Sequence, residues 1–157
     1  MTPPPDAPAP DVPDADMLRL DHQVCFSLQA ASRAFGGVYR EALKDLGLTY
    51  PQYLAMMVLW ERGPLPVKAI GERLHLDSGT LSPLLKRLES AGLVRRERGP
   101  EDERSVTVHL TDAGSGLRER ALPVPRAILR ATGMSVQEVI TLQETLRRLT
   151  AALDHAG

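Results

Sequence analysis

Residues 70–110 read IGERLHLDSGTLSPLLKRLESAGLVRRERGPEDERSVTVHL. A short amphipathic segment carries Ile70 and Leu74, and a polar turn follows it. Next comes a segment with Leu81, Leu84, Leu85 and Leu88 at i, i+3, i+4 and i+7, which lines one face of a helix. Ala91-Gly92 ends it, and the chain then alternates apolar and charged residues into a Gly-Pro turn and back. Helix, turn, helix and charged hairpin in that order predict a winged helix-turn-helix, whose second helix enters a DNA major groove. The fold class expected is mainly α with a small β-wing.

Working outward, the first helix of the pair covers residues 67–74 and the second runs from Ser78 to Ala91. Asp77 or Ser78 is placed to cap the second helix. Pro83 removes one backbone donor from it, which is tolerable near the helix start on an exposed face. Paired wing strands are expected over 93–98 and 104–110, joined by the turn GPEDE. Upstream, Thr49 and Pro51 start a helix whose centre, Leu54 to Trp60, is apolar almost all round and is expected to be buried. Pro64 and Pro66 break the chain after it.

The flanks read differently. Six of the first thirteen residues are proline, so residues 1–16 are expected to be a disordered arm. One long helix is expected from Met17 to Leu46, weakened at Gly36-Gly37 and stopped at Gly47. Downstream, Thr111 caps a helix that Pro123 and Pro125 must end, kink or split. The last helix runs from Ser135 to Asp154 and opens with the capping box Ser135-x-x-Glu138. Its Val139, Leu142, Leu146 and Leu149 form one apolar face. A small winged-helix core has no place for the apolar faces of the two terminal helices, so a homodimer is expected. Residues 17–157 then form one domain: about 50–111 the DNA-binding part, 17–48 and 112–157 the dimerisation helices.

Composition sets limits on function. The 157 residues hold no apolar run long enough to span a membrane, so no membrane association is expected. The N-terminus is Pro- and Asp-rich rather than basic then apolar, so no signal peptide is expected and the cytoplasm is the expected compartment. One cysteine, Cys25, excludes an internal disulfide. Net charge is −1, but Asp6, Asp11, Asp14, Asp16 and Asp21 sit near the N-terminus while basic residues gather in the second helix and wing. Glu89, Glu97, Glu101, Asp102 and Glu103 dilute that patch. His22 and Cys25 stand three apart without further ligands at useful spacing, so neither a metal nor a cofactor is expected. Nothing matches a catalytic triad or a phosphate loop, and the chain is not read as an enzyme.

Candidate DNA-contacting residues are those off the leucine stripe and in the wing. Ser78, Thr80, Ser82, Pro83, Lys86 and Arg87 offer small hydroxyls, a helix N-terminus and charge to phosphates and base edges. Arg96 and Arg98 lie on the first wing strand, and Arg104 beside the turn suits a narrow minor groove. The expected partner is a pseudo-palindromic DNA duplex, because paired recognition helices match half-sites one turn apart.

The segment DERSVTVHLT, with Asp102, Arg104, Leu110 and Thr111, resembles the wing signature of the MarR regulators, and LDSGTLSPLLKRLESAGLVRR resembles their recognition helix. The resemblance covers nearly all of the chain after the proline-rich arm and implies a dimeric winged helix. LDHQVCFSLQAASR, then Tyr39, then LTYPQYLAMMVLWE resemble more narrowly the organic hydroperoxide regulators of that family, the OhrR proteins, in their one-cysteine branch. That resemblance implies that Cys25 is the oxidised residue and that Tyr39 and Tyr50 hydrogen-bond to its sulfur. It also implies organic hydroperoxides and small thiols as reactants and a repressor that releases its operator on oxidation.

Spacing bears on the same residues. Fourteen residues put Cys25 and Tyr39 about 20 Å apart on a straight helix, so Tyr39 is expected to reach the cysteine of a second copy across antiparallel first helices. Spacing alone leaves Cys25 open as a small core filler. Two rival readings stand beside thiol sensing: a MarR-type repressor released by a small aromatic ligand at the dimer interface, with Cys25 incidental, and a thiol peroxidase.

Overall fold

The structure, a computed structural model, describes residues 14–99 and 105–157. It divides into two compact units, with the boundary between Gly37 and Val38. The proline-rich arm expected at the N-terminus lies outside the described residues up to residue 13, and so do Pro100 to Arg104 of the wing turn.

The first unit does not open on the long helix expected from Met17. A single turn, α1 (Asp14–Met17), is followed by a 3-10 turn at Leu20–His22, and α2 (Val24–Ala42) starts only after Gln23, whose backbone is extended. Side chains explain the break. Gln23 Nε2 donates to the carbonyls of Met17 at 2.6 Å and Arg19 at 2.8 Å, and His22 Nδ1 pairs with the carbonyl of Asp16 at 2.8 Å. Such local bonds give the backbone an alternative to the helical ladder. At the other end α2 stops at Ala42; a 3-10 turn at Lys44–Leu46 follows, and Gly47 closes it at φ 66°. Gly36 and Gly37 lie inside α2 without interrupting it.

The second unit carries the winged helix. α3 (Tyr50–Arg62) opens with a full capping box, in which Thr49 and Gln52 each accept the other's backbone N–H. Its buried face holds Tyr53, Ala55, Met56, Val58 and Leu59, but Met57 is 41% exposed, so the helix is not buried all round as expected. α4 (Val67–Leu74) and α5 (Ser78–Ser90) form the helical pair. Between them His75 closes α4 in the left-handed region, at φ 56°. A Cβ on Gly71 would stand 2.8 Å from the carbonyl oxygen of Leu76, so this tight turn needs glycine there.

The wing strands are β2 (Val94–Arg98) and β3 (Val106–Leu110), antiparallel, with Val94 opposite Leu110 and Arg98 opposite Val106. A third strand, β1 (Leu65–Pro66), was not expected from the two prolines. It pairs antiparallel on the free edge of β3, Leu65 opposite Val108, giving the order β1-β3-β2. An edge strand of two residues accommodates proline, which has no N–H to donate.

Thr111 then caps α6 (Asp112–Ala121), and the expected split at the prolines separates it from α7 (Pro123–Thr132). α8 (Val136–Ala156) opens with the expected Ser135–Glu138 capping box. The core of this unit joins Met56 and Leu59 of α3, Ile70 of α4, the leucines of α5, and Val94 and Val108 of the sheet. α6 is locked to this core by contact and hydrogen bond. A Cβ on Gly114 would collide with the carbonyl oxygen of Leu93, and Trp60 Nε1 donates to the carbonyl of Gly114 at 2.9 Å.

Candidate nucleic-acid interface and thiol site

The DNA-facing candidate is built on α5. Asp77 caps the helix, its carboxylate accepting the Thr80 N–H at 2.7 Å, and those hydrogen bonds hold its pKa below the usual carboxylate value. Leu81, Leu84, Leu85 and Leu88 face the core at 7% exposure or less. This pins the rotation of the helix, and Ser78, Thr80, Ser82, Pro83, Lys86 and Arg87 are all exposed as a result. Pro83 lies inside the helix on that exposed side, where its missing N–H leaves no buried group unpaired.

The wing arginines differ among themselves. Arg95 pairs with Glu97 at 3.0 Å, and His109 Nε2 lies 3.3 Å from the same carboxylate. Arg96 pairs instead with Glu89 of α5 at 3.1 Å, and that pairing holds the Glu89 carboxyl below its usual pKa. Arg98 is exposed at the end of β2. Arg104, assigned above to the minor groove, lies outside the described residues. The strands are closed toward the turn by the Gly99 N–H donating to the Ser105 carbonyl at 2.8 Å. Sequence reasoning counted Glu89 only as an acid diluting the basic patch. Its reach to Arg96 depends on how the strand returns after the helix, which spacing does not show.

Cys25 belongs to the first unit, in the first turn of α2, and is exposed. The second unit brings Tyr39 and Tyr50 together, with ring centroids 4.5 Å apart and planes tilted by 40°. The aromatic row continues from Tyr39 to Tyr53 at 6.0 Å and from Tyr53 to Trp60 at 6.5 Å. Tyr53 and Trp60 were not among the expected site residues. Tyr50-x-x-Tyr53 on one helix is the signal that points to the first of them, because residues three apart share a face. Burial pushes the Tyr39 phenol up to about 12, with Tyr50 and then Tyr53 adding to the effect. A phenol is protonated at neutral pH even at its ordinary value, so Tyr39 is a donor there, and the shift only widens that range. Burial also raises Tyr53, with Tyr50 contributing. Beside this row, an open cleft of about 280 Å³ is walled by Tyr53, Met57 and Trp60 of α3 and by Arg118, Leu122 and Pro125. Among the described residues no group of three or more metal-ligating side chains gathers, and no helix is long and apolar enough to cross a membrane.

Comparison with known proteins places this architecture. The model of the MarR family matches residues 48–106. The organic hydroperoxide resistance transcriptional regulator of Bacillus subtilis (strain 168) is 46% identical over 138 residues, which span 88% of this chain and 94% of that protein. The chain belongs to the MarR family. Within the family, the regulator TtmR of Methylorubrum extorquens is 51% identical over 83% of this chain and 67% of its own length. Among solved structures, reduced AbfR bound to DNA superposes with a TM-score of 0.77 at 37% identity, over 89% of this chain and 96% of that one. The overoxidised AbfR bound to DNA gives 0.72 at 38% identity, over 88% and 98%. This MarR-family chain is thus a transcriptional regulator with the winged-helix fold described above.

Proposed function

We propose that this MarR-family regulator is a homodimeric repressor that senses organic hydroperoxides through Cys25 and releases a pseudo-palindromic operator when Cys25 is oxidised. The observation that carries the reading is an exposed thiol in a chain whose two expected phenol donors, Tyr39 and Tyr50, lie in contact. Its relatives agree in kind. One is a hydroperoxide resistance regulator, and AbfR has been solved in reduced, overoxidised and disulfide-formed states.

The chemistry follows from the residues. Thiolate, not thiol, attacks peroxide, and phenol donors favour the anion. The Cys25 sulfur attacks the terminal oxygen of ROOH, the O–O bond breaks, sulfur keeps the OH as sulfenic acid, and the alkoxide takes a proton to leave as alcohol. No second cysteine is present, so a small thiol condenses with the sulfenic acid, forming a mixed disulfide and releasing water. Return to the thiol needs a reducing compartment, which for this reading is the cytoplasm.

On the DNA side, Ser78, Thr80, Ser82, Pro83, Lys86 and Arg87 meet the major groove, and Arg98 and Arg104 serve the wing. Exposed apolar side chains on the terminal helices support the dimer: Val24 at 65%, Val136 at 59% and Leu153 at 62% exposure. One observation favours the second reading. The cleft beside Tyr53 and Trp60, with Arg118 and Glu61 both at its wall, suits a small aromatic ligand.

A peroxide titration of protein bound to a duplex, selected by the wild-type protein from a randomised pool, tests the proposal. Cys25→Ser is expected to bind that duplex and ignore hydroperoxide, and Tyr39→Phe and Tyr50→Phe to need a higher dose for release. Release of Cys25→Ser with wild-type sensitivity would exclude thiol sensing and leave the cleft ligand as the effector.

A further inference from the structure

Glu89 sits in the last turns of α5 and reaches β2 with both carboxylate oxygens. One accepts the backbone N–H of Arg96 at 3.0 Å, and the other accepts from Arg96 Nη2 at 3.1 Å. The two side chains are only 38% and 33% exposed. Nearer the helix the wing is held in other ways. The Gly92 and Leu93 N–H groups donate back to the carbonyls of Glu89 and Leu88, and Val94 is buried in the core at 2% exposure. Past Val94 the rest of β2 is exposed. Glu89 therefore grips the strand two residues beyond its last core anchor. The neighbouring pairs of Glu97 with Arg95 and His109 join β2 only to itself and to β3, whose Val108 lies opposite Arg96 and is buried in the core. Among the described side-chain pairs it is therefore Glu89 that ties the exposed part of β2 directly to α5.

A carboxylate beside a DNA-facing helix repels phosphate, so simple electrostatics assigns Glu89 an unfavourable role. We infer that Glu89 is a positioning residue that sets the wing against α5, and that Arg96 serves this tie rather than contacting DNA. A helix and a wing must meet two grooves at once, and an unconstrained wing loses its freedom when it docks. The inference rests on the proposed α5 docking face and moves Arg96 from contact to support.

Affinity for the selected duplex across a salt series, with reduced protein, tests it. Glu89→Ala is expected to bind about tenfold more weakly despite losing a negative charge, with an unchanged salt slope. Arg96→Ala falls by a similar factor, also without a change of slope, and the double variant is no weaker than either single one. Glu89→Gln recovers most of the affinity, because its amide oxygen still accepts the Arg96 N–H. Binding of Glu89→Ala equal to or tighter than wild type overturns the inference. So does a slope lowered by about 0.9 in Arg96→Ala, the mark of a lost phosphate contact. If Glu89→Ala fails to fold, the Arg96→Ala slope decides alone. Lys86→Ala separates the two levels. Unchanged affinity and slope there overturn the docking face and this inference with it, whereas a loss there with none in Glu89→Ala overturns this inference only.

Discussion

Helices α5 and α8 carry the same kind of leucine stripe and meet opposite fates. In α5, Leu81, Leu84, Leu85 and Leu88 are 1%, 7%, 0% and 0% exposed. In α8, Val139, Leu146 and Leu149 are half-buried, Leu142 is 42% exposed, and none of the helix's residues is fully buried. Both helices are well capped, by Asp77 and by the Ser135–Glu138 box, so the difference does not arise from their starts. It arises from what lies opposite. α3, α4 and the sheet close over α5, while α8 has no fully buried residue among those described. A 3.6-residue period announces a face that requires cover without naming what covers it. For α5 the cover is the same chain; for α8 the proposed cover is a second copy.

The sharpest way to break this contrast is at the α5 core. Leu85→Ala is expected to destabilise the protein by about 2–5 kcal/mol, as a fully buried leucine leaves a cavity. The matching Leu142→Ala should lower stability by less than about 1 kcal/mol in denaturant melts at high protein concentration and weaken association instead. Equal losses in the two variants at every concentration would end the distinction. Gly114→Ala tests the same core from its rim. With the Leu93 carbonyl in the way of the new methyl, backbone must move, and a loss of roughly 3 kcal/mol is expected in thermal or denaturant unfolding.

Removing residues 135–157 should uncouple the two regions. The winged helix keeps its core, and sedimentation is expected to show loss of a stable dimer; a well-behaved dimer after truncation would refute the terminal-helix interface. On the outer face of α5, Lys86→Ala should weaken binding to all sequences alike and lower the salt slope by about 0.9. Arg104→Ala should weaken the selected duplex by about 1–3 kcal/mol with a loss of sequence preference. The smallest effect belongs to residues 1–14, whose proline-rich composition offers little to bury. Their deletion is expected to leave the melting temperature and DNA affinity within error.

Much of this molecule is legible in its residues because the signals are local. Asp77, Thr49, Thr111 and Ser135 each cap the helix that follows them, through bonds reaching only three residues ahead. The leucine period orients α5, and that orientation alone exposes Ser78, Thr80, Ser82, Pro83, Lys86 and Arg87. The missed features depend on partners distant in the chain, or on competition that the apolar pattern does not register. β1 exists because Leu65 finds Val108 more than forty residues later. α2 begins at Val24 because the side chains of His22 and Gln23 bond backward and outcompete the ladder that the apolar period suggested.

The amino-acid order by itself determined the helices' caps, the winged layout and the presence of one thiol with two tyrosines at family spacing. Tertiary structure alone decided that Tyr39 and Tyr50 touch, that burial among aromatic rings raises the Tyr39 phenol, and that Glu89 of α5 pairs with Arg96 of the wing. The physical reason is range. Capping and periodicity act within one turn, whereas ring contacts, desolvation and ion pairing depend on which surfaces the folded chain brings together.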